Sequence, residues 1–200
     1  MPGFNNLRIR RNPLRMMVDK NGQEIRVDYL SDGEKIVLAL AGDLARRLAI
    51  ANPALDDPRH GRGIVLIDEI ELHLHPSWQR KVIHRLKSAF PNCQFIVTTH
   101  SPLVISEIHH SNVYQLRNGV VEQSRRRTYG RPAGEVLEDV MEVSRRPEKV
   151  EQKLSDLFEA IDDDEADQAA RLLRDLENEI GHDDADLVRA RLMARRFGAP

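Results

Sequence analysis

The apolar run at residues 64–67 (IVLI) is followed immediately by two carboxylates, Asp68 and Glu69. An unbroken apolar run of this length is typical of a strand buried on both faces of a parallel sheet. A second run, residues 94–98, follows after one segment of helix length, and this order predicts a right-handed βαβ unit. The chain is therefore expected to be an α/β protein with Asp68 and Glu69 at the carboxyl edge of its sheet.

Paired acids at such an edge have a chemical use and a simpler alternative. In a nucleotide hydrolase Asp68 would hold Mg²⁺ and Glu69 would polarise the attacking water; alternatively, the strand merely ends in a solvated turn. His100 follows the second strand and is expected on the same edge, where a neutral imidazole could hydrogen-bond a γ-phosphate oxygen. The alternative for His100 is a surface histidine that caps a helix.

The segment LSDGEK at residues 30–35 opens a predicted helix over residues 33–51. Ser31 and Glu34 have the spacing of a capping box, and helix capping is a sufficient local explanation. The functional interpretation uses the same groups, because a hydroxyl, a small Gly33 and free N–H groups at the positive end of a helix bind phosphate.

The composition is that of a folded chain without a membrane segment. Of 200 residues 40% are hydrophobic and 31% charged, and the mean hydropathy is −0.50. No apolar run approaches the ~20 residues of a transmembrane helix, and the N-terminal sequence lacks the apolar core of a secretory signal. A single cysteine, Cys93, excludes an internal disulfide framework. We expect a cytoplasmic protein with no membrane partner.

The sequence changes character near residue 124. Before it, hairpins are predicted at 7–29, with a returning strand over 24–29, and at 113–123; one helix is predicted after Pro76. After it, short helices are predicted at 134–143, 148–160, 165–179 and 184–197. Residues 1–143 carry 20 Lys and Arg against 17 Asp and Glu, whereas residues 144–200 carry 10 against 15. The expected organisation is a sheet-bearing domain over 1–123 and a helical interaction module over 124–200.

These motifs, in this order, resemble the ABC-type ATPases of the RecF/SMC/OLD branch. LSDGEK (30–35) is similar to their signature motif, IVLIDE (64–69) to Walker B with the catalytic glutamate, ELHLHP (71–76) to the D-loop, and TTHSP (98–102) to the switch-histidine segment. The resemblance implies part of a P-loop NTPase fold, an ABC-like parallel sheet with flanking helices, that uses ATP and Mg²⁺.

The resemblance also implies roles for individual residues. Asp68 would bind Mg²⁺, Glu69 would be the general base and His100 the switch residue. Ser31 and Gly33 would contact the γ-phosphate held by another protomer. The full set of nucleotide-contacting positions implied is Leu30, Ser31, Asp32, Gly33, Glu34 and His75.

The tail motifs TYG (128–130), VLEDVM (136–141) and VSRRP (143–147) resemble the PtuA-type ATPases of the Septu antiphage system and the ATPases that accompany retrons. This resemblance implies an ATPase of antiphage defence or DNA metabolism that oligomerises. The partners that it implies are an HNH-type nuclease and DNA.

One family element is absent from these 200 residues. The phosphate-binding motif G-x-x-x-x-G-K-[ST] cannot be placed, because none of the eleven glycines is followed by lysine. The chain is therefore expected to be the C-terminal half of an ATPase, inactive alone and dependent on an N-terminal lobe or a homo-oligomer partner. A non-catalytic fragment that serves as a protein-interaction module is the alternative, and a transporter domain is disfavoured by ELHLHP.

A metal site at His73 and His75 with Glu71 is a further possibility raised by the H-x-H spacing. We expect instead that these residues belong to a loop near the nucleotide.

Overall fold

The computed structural model describes residues 3–196, and the chain divides into two compact units at Val136 and Leu137. The strands are β1 (Phe4–Arg11), β2 (Leu14–Lys20), β3 (Gln23–Arg26), β4 (Gly63–Ile67), β5 (Cys93–Val97), β6 (Tyr114–Arg117) and β7 (Val120–Gln123). The helices are α1 (Asp32–Ala51), α2 (Pro76–Gln79), α3 (Val82–Ala89), α4 (Pro102–Ile105), α5 (Ala133–Asp139), α6 (Glu148–Asp162), α7 (Ala166–Ile180) and α8 (Ala185–Arg196).

The first unit begins with an antiparallel sheet in the order β1-β2-β3. Asn21 and Gly22 join β2 to β3 with φ values of 52° and 81°, the left-handed geometry of a tight hairpin turn. The predicted returning strand is wrong in its second half, because Val27–Tyr29 forms a 3₁₀ turn. That turn takes the chain out of the sheet and buries Leu30, which is 5% exposed, just before α1.

Helix α1 confirms the prediction made from LSDGEK. Ser31 caps it with both halves of a capping box, and the helix ends where the Asn52 N–H donates to the Leu48 carbonyl. Leu44 and Leu48 are buried in the core of the first unit.

Strands β4 and β5 pair in parallel, with Gly63 opposite Cys93 and Ile67 opposite Val97. This pairing confirms the α/β fold with a parallel sheet and flanking helices. The expectation of burial on both faces is wrong within the described residues, since Ile64, Leu66 and Ile96 are 66%, 76% and 50% exposed. Only the opposite face, with Val65, Phe95 and their neighbours, packs against the core.

The segment between these strands forms two helices rather than the single predicted helix. Arg80 and Lys81 separate α2 from α3. The buried residues of this core are Leu44, Leu48, Ile70, Leu74, Val82, Ile83, Leu86, Phe90 and Val104. Ile70 and Leu74 belong to the turn that follows Asp68 and Glu69, so packing of these two side chains in the core fixes the position of that turn.

The second hairpin is confirmed, with β6 and β7 joined at Asn118 and Gly119. The chain stays attached to the first unit after β7. Thr128 Oγ1 donates to the Ile108 carbonyl at 2.5 Å, and the Gly130 N–H donates to the Ser106 carbonyl at 2.8 Å. The first compact unit therefore continues past residue 123 to Val136.

The second unit contains α6, α7 and α8 packed around their own core. Its most buried large side chains are Leu157, Leu176 and Leu187, each 1% exposed or less. The helical character of this region is as predicted, although the predicted end of the last helix at residue 197 lies outside the described residues. Between residues 3 and 196, none of the helices combines the length and the apolar character needed to cross a membrane.

Candidate functional site

The carboxyl edge of the β4–β5 sheet brings together Asp68, Glu69, Thr98 and His100, which we call the carboxylate rim. Thr98 joins the two strands here. Its Oγ1 donates to Asp68 Oδ1 and accepts the Glu69 N–H at 2.9 Å, while its own N–H donates to the Ile67 carbonyl at 3.0 Å. The hydroxyl therefore orients the Asp68 carboxylate and fixes the start of the turn.

Glu69 has a left-handed backbone conformation, with φ at 46°. A residue with a Cβ pays a steric cost for this geometry, and such residues cluster at functional sites. The Glu69 side chain is exposed and has no hydrogen-bond or ion-pair partner in the part of the chain that the structure describes. Its carboxylate is therefore available to solvent and to a ligand.

The turn after Glu69 reaches across to the second strand. Ile70 and Leu74 are buried, whereas Glu71 between them is half-buried. Its carboxylate accepts a hydrogen bond from Thr99 Oγ1 at 2.6 Å and from the His100 N–H at 2.5 Å. These bonds place His100 on the same edge as Asp68.

His100 is exposed, and its ring has no hydrogen-bond partner among residues 3–196. The helix-capping alternative for His100 is wrong, because Ser101 caps α4. Ser101 Oγ accepts the N–H groups of Leu103 and Val104 at 3.2 and 3.3 Å. The imidazole is thus free to interact with a ligand at the rim.

A separate open cleft of about 720 Å³ lies where α1 begins, and we call it the signature cleft. It is lined by Ser31, Asp32, Gly33, Glu34, His73, Leu74, His75, Ser77 and Trp78. A Cβ on Gly33 would lie 2.7 Å from the His73 carbonyl oxygen, well inside van der Waals contact. Only glycine allows α1 to approach the 73–75 segment this closely.

The capping box forms one wall of this cleft. Ser31 Oγ accepts the Glu34 N–H at 3.4 Å, and the Glu34 carboxylate accepts the Ser31 N–H at 3.1 Å and pairs with Lys20 at 2.7 Å. Burial opposes ionisation of Glu34, but the bonds from Lys20 and Ser31 outweigh it and lower its pKa. Glu34 therefore stays ionised near neutral pH.

His75 has a structural role at the cleft. Its Nδ1 accepts the Ser77 N–H at 3.2 Å and caps α2. Over the described residues no group of three or more His, Cys, Asp and Glu side chains could hold a metal ion, so the alternative metal site at Glu71, His73 and His75 is not formed. Mg²⁺ at Asp68 needs no such cluster, since it is usually held by one or two carboxylates together with substrate phosphates and water.

The predicted residues thus fall into two groups. Asp68, Glu69 and His100 follow the carboxyl ends of the paired strands β4 and β5. The cleft is lined instead by Ser31, Asp32, Gly33, Glu34 and His75. Leu30 is buried and is not among the residues that line the cleft. The turn at residues 70–75 connects the two groups, since Glu71 bonds to the rim and His73 and His75 line the cleft.

The sequence did not predict the hydrogen-bonding roles of Thr98 and Glu71, and Glu71 was considered only as a metal ligand with His73 and His75. Thr98 carries a usable signal, because it is a polar residue at the end of an apolar strand opposite Asp68. No sequence signal points to the role of Glu71, since its hydrogen-bond partners Thr99 and His100 lie 28 and 29 residues away in a loop without periodicity.

Comparison with known proteins gives a consistent picture. The family model described as "AAA domain, putative AbiEii toxin, Type IV TA system" matches residues 3–106, more than half of the chain. The chain is 43% identical over 196 residues to the retron Ec83 probable ATPase of Escherichia coli, which covers 96% of this chain and 36% of that protein. It is 46% identical over 78 residues to the Septu protein PtuA of Bacillus mycoides, covering 39% of this chain and 10% of PtuA.

A solved structure described as "Structural biochemistry of ATP-driven dimerization and DNA stimulated activation of SMC ATPases" aligns with a TM-score of 0.42 and 26% identity. The alignment covers 60% of this chain and 72% of that one. The chain spans about a third of the length of the retron Ec83 protein and a tenth of that PtuA. On the family match over residues 3–106, this chain belongs to the AAA-domain family that this model describes.

Proposed function

We propose that this chain supplies the hydrolytic half of an ATP site and the signature face of a second one. The observation that carries the proposal is the Thr98 hydroxyl bound at once to the Asp68 carboxylate and to the Glu69 amide. It fixes the two acids at the sheet edge with distinct environments, one carboxylate held and the other free. That difference matches the two tasks that phosphoryl transfer to water requires.

The carboxylate rim divides these tasks among its own residues. Asp68, oriented by Thr98, would hold Mg²⁺, which neutralises charge on the phosphate oxygens when it is bound. Glu69 would orient the attacking water and accept its proton. His100 would donate a hydrogen bond to the phosphoryl oxygens from its free ring.

The signature cleft would serve a nucleotide bound by another protomer. Its wall is the start of α1, where backbone N–H groups and the helix dipole favour a phosphate. Because the cleft and the rim are formed by different residues of one chain, two copies facing one another would complete two sites. This arrangement supports a homo-oligomeric ATPase.

A phosphate-binding loop must come from outside these 200 residues. The exposed apolar face of Ile64, Leu66 and Ile96 supports this dependence, because a two-stranded sheet with one bare face is not a complete layer. The occupant that we propose for that face is the remaining ATPase lobe, since the retron Ec83 relative has almost two thirds of its length beyond the matched part. The 200-residue chain alone should then bind and hydrolyse ATP negligibly, as filter binding and a phosphate-release assay would show.

The direct test is a chimera of the retron Ec83 protein in which this chain replaces the segment that it matches. We expect Mg²⁺-dependent ATP turnover by the chimera. Asp68→Asn, Glu69→Gln and His100→Ala should each lower kcat at least about 100-fold, the usual scale for loss of a general base or of a group that stabilises charge in the transition state.

The matched control is Glu122→Gln, an exposed carboxylate on β7, which should leave kcat unchanged. Turnover by a Glu69→Gln chimera equal to that of the parent would remove Glu69 from the role of base. Efficient Mg²⁺-dependent turnover by the isolated chain would refute the need for a second lobe.

We also propose, from the resemblance to the Septu and retron ATPases, that the complete protein acts in antiphage defence with a nuclease partner. Protection measured by plaque counts should be lost when Glu69→Gln is introduced into the complete system. Undiminished protection would separate the defence role from ATP hydrolysis.

A further inference from the structure

The switch-histidine loop, residues 99–101, is held by side chains of the segment that follows Glu69. Glu71 is half-buried, and each of its two carboxylate oxygens takes one donor from that loop. Oε2 accepts from Thr99 Oγ1 at 2.6 Å, and Oε1 accepts from the His100 N–H at 2.5 Å. Hydrogen bonds to a charged acceptor are about twice as strong as neutral ones.

Gln79 provides a second attachment of the same loop. Ser101 Oγ donates to Gln79 Oε1 at 2.6 Å, and Gln79 Nε2 donates to the Leu74 carbonyl at 2.9 Å. Ser101 is 6% exposed, so this bond is shielded from water. The two attachments flank the segment whose residues 73–75 line the signature cleft.

We propose that Glu71 is a positioning residue that fixes the His100 backbone, and through it the imidazole, relative to the carboxylate rim. The catalytic part of this inference rests on the proposed ATPase function. Glu71 itself would touch neither the nucleotide nor the attacking water. A carboxylate suits this position because each of its two oxygens accepts one donor from the loop, whereas glutamine would place an NH₂ group opposite one of those donors.

The first test uses the 200-residue chain without nucleotide. Amide hydrogen exchange of ¹⁵N-labelled protein reports the His100 N–H directly. Glu71→Ala should lower its protection about tenfold or more, the effect of losing one hydrogen bond, while the amides of β4 and β5 keep theirs. Glu107→Ala, which removes a glutamate paired with Arg80, is the control and should leave His100 protection unchanged.

If Glu71→Ala does not fold, the isosteric Glu71→Gln takes its place and should weaken protection of the Thr99–His100 loop to a smaller degree. Unchanged His100 protection in a folded variant would overturn the proposal. Because this measurement needs no ATP, its result is independent of whether the ATPase proposal holds.

The second test is a double-mutant cycle in the retron Ec83 chimera. A positioning residue acts through His100, so Glu71→Ala should lower kcat with little change in KM for ATP, and it should add nothing further to His100→Ala. Multiplying effects in the double variant would show that Glu71 acts independently of His100. An inactive parent chimera would refute the proposed function, leaving the exchange result to decide the role of Glu71.

Discussion

Glu69 and Gly33 both lie where the backbone restricts the side chain, but for different reasons. Glu69 adopts a left-handed conformation despite its side chain, and the Thr98 hydroxyl bonded to its N–H helps to hold it there. Gly33 has no such conformation, yet it has no room for a Cβ because the His73 carbonyl lies in the way. The glycine of the signature segment is therefore required by contact with the 73–75 turn, in addition to any part in binding phosphate.

Replacement of Gly33 by alanine tests this close approach. Gly33→Ala should lower the free energy of unfolding of the first unit by about 1–3 kcal/mol, because the added methyl group meets backbone rather than a movable side chain. Urea unfolding followed by the fluorescence of Trp78, the single tryptophan, reports this unit.

Gly42→Ala is the matched control, since it lies in the same helix with nothing within 4 Å of the added Cβ. It should stabilise the first unit by about 0.5–1 kcal/mol through helix propensity. Equal stability of Gly33→Ala and the parent would contradict the contact.

At the scale of elements, the sequence pattern was sufficient to predict a structural element where the contacts that form it are local. The capping box, the Asn-Gly hairpins and the parallel βαβ pairing were all predictable, because each depends on residues near one another or on a strong apolar run. The break between α2 and α3 was not predictable, since the apolar residues of this segment keep one continuous helical spacing: Trp78, Val82, Ile83, Leu86 and Phe90. The exposure of Ile64 and Leu66 could not be predicted either, because the sequence of an apolar strand does not show which of its faces another segment covers.

The residues of the candidate site also differ in how far their positions could be predicted from the sequence. Asp68, Glu69 and His100 could be placed at one edge because parallel strands end together. The Glu71 bonds to Thr99 and His100 could not be foreseen, since they depend on the path of two loops that meet only in the folded chain.

Arg146 ties the start of the helical unit to the region before α8. Its guanidinium bonds both oxygens of Asp184, at 2.9 and 3.0 Å, and Asp186 at 2.6 Å. The hydrogen bond from Arg146 lowers the pKa of Asp184 below its ordinary value, against an opposing effect of burial. A carboxylate with a pKa lowered by folding binds fewer protons in the folded state than in the unfolded one, so acid removes its stabilisation.

The expected pH dependence follows from that direction. Arg146→Gln should lower the melting temperature of the helical unit, measured by circular dichroism, at about pH 6. The difference in melting temperature between this variant and the parent should disappear as the pH falls below about 4, where the carboxyl group of the unfolded chain becomes protonated. Arg145→Gln, which removes an exposed pair with Glu138, should have a smaller effect. A gap for Arg146→Gln that persists unchanged to pH 2.5 would contradict the assignment.

On the scale of the whole molecule, the chain combines an incomplete sheet layer with a helical unit that has a core of its own. The exposed apolar side chains of β4 and β5 are Ile64, Leu66 and Ile96. They lie on one face of the sheet, and Asp68 and Thr98 follow at the carboxyl ends of the same two strands. Covering that face and supplying the phosphate loop would thus bring a second lobe to the carboxylate rim. We therefore expect ATP binding and completion of the sheet to occur together.

The most direct measurement is the identity of the nucleotide retained by the retron Ec83 chimera carrying Glu69→Gln after incubation with ATP and Mg²⁺. If Glu69 accepts the proton of the attacking water, the variant binds ATP and holds it uncleaved, whereas the parent and Glu122→Gln release ADP and phosphate. Recovery of ADP from the Glu69→Gln protein at the parental rate would contradict the assignment of Glu69 as the general base of the carboxylate rim.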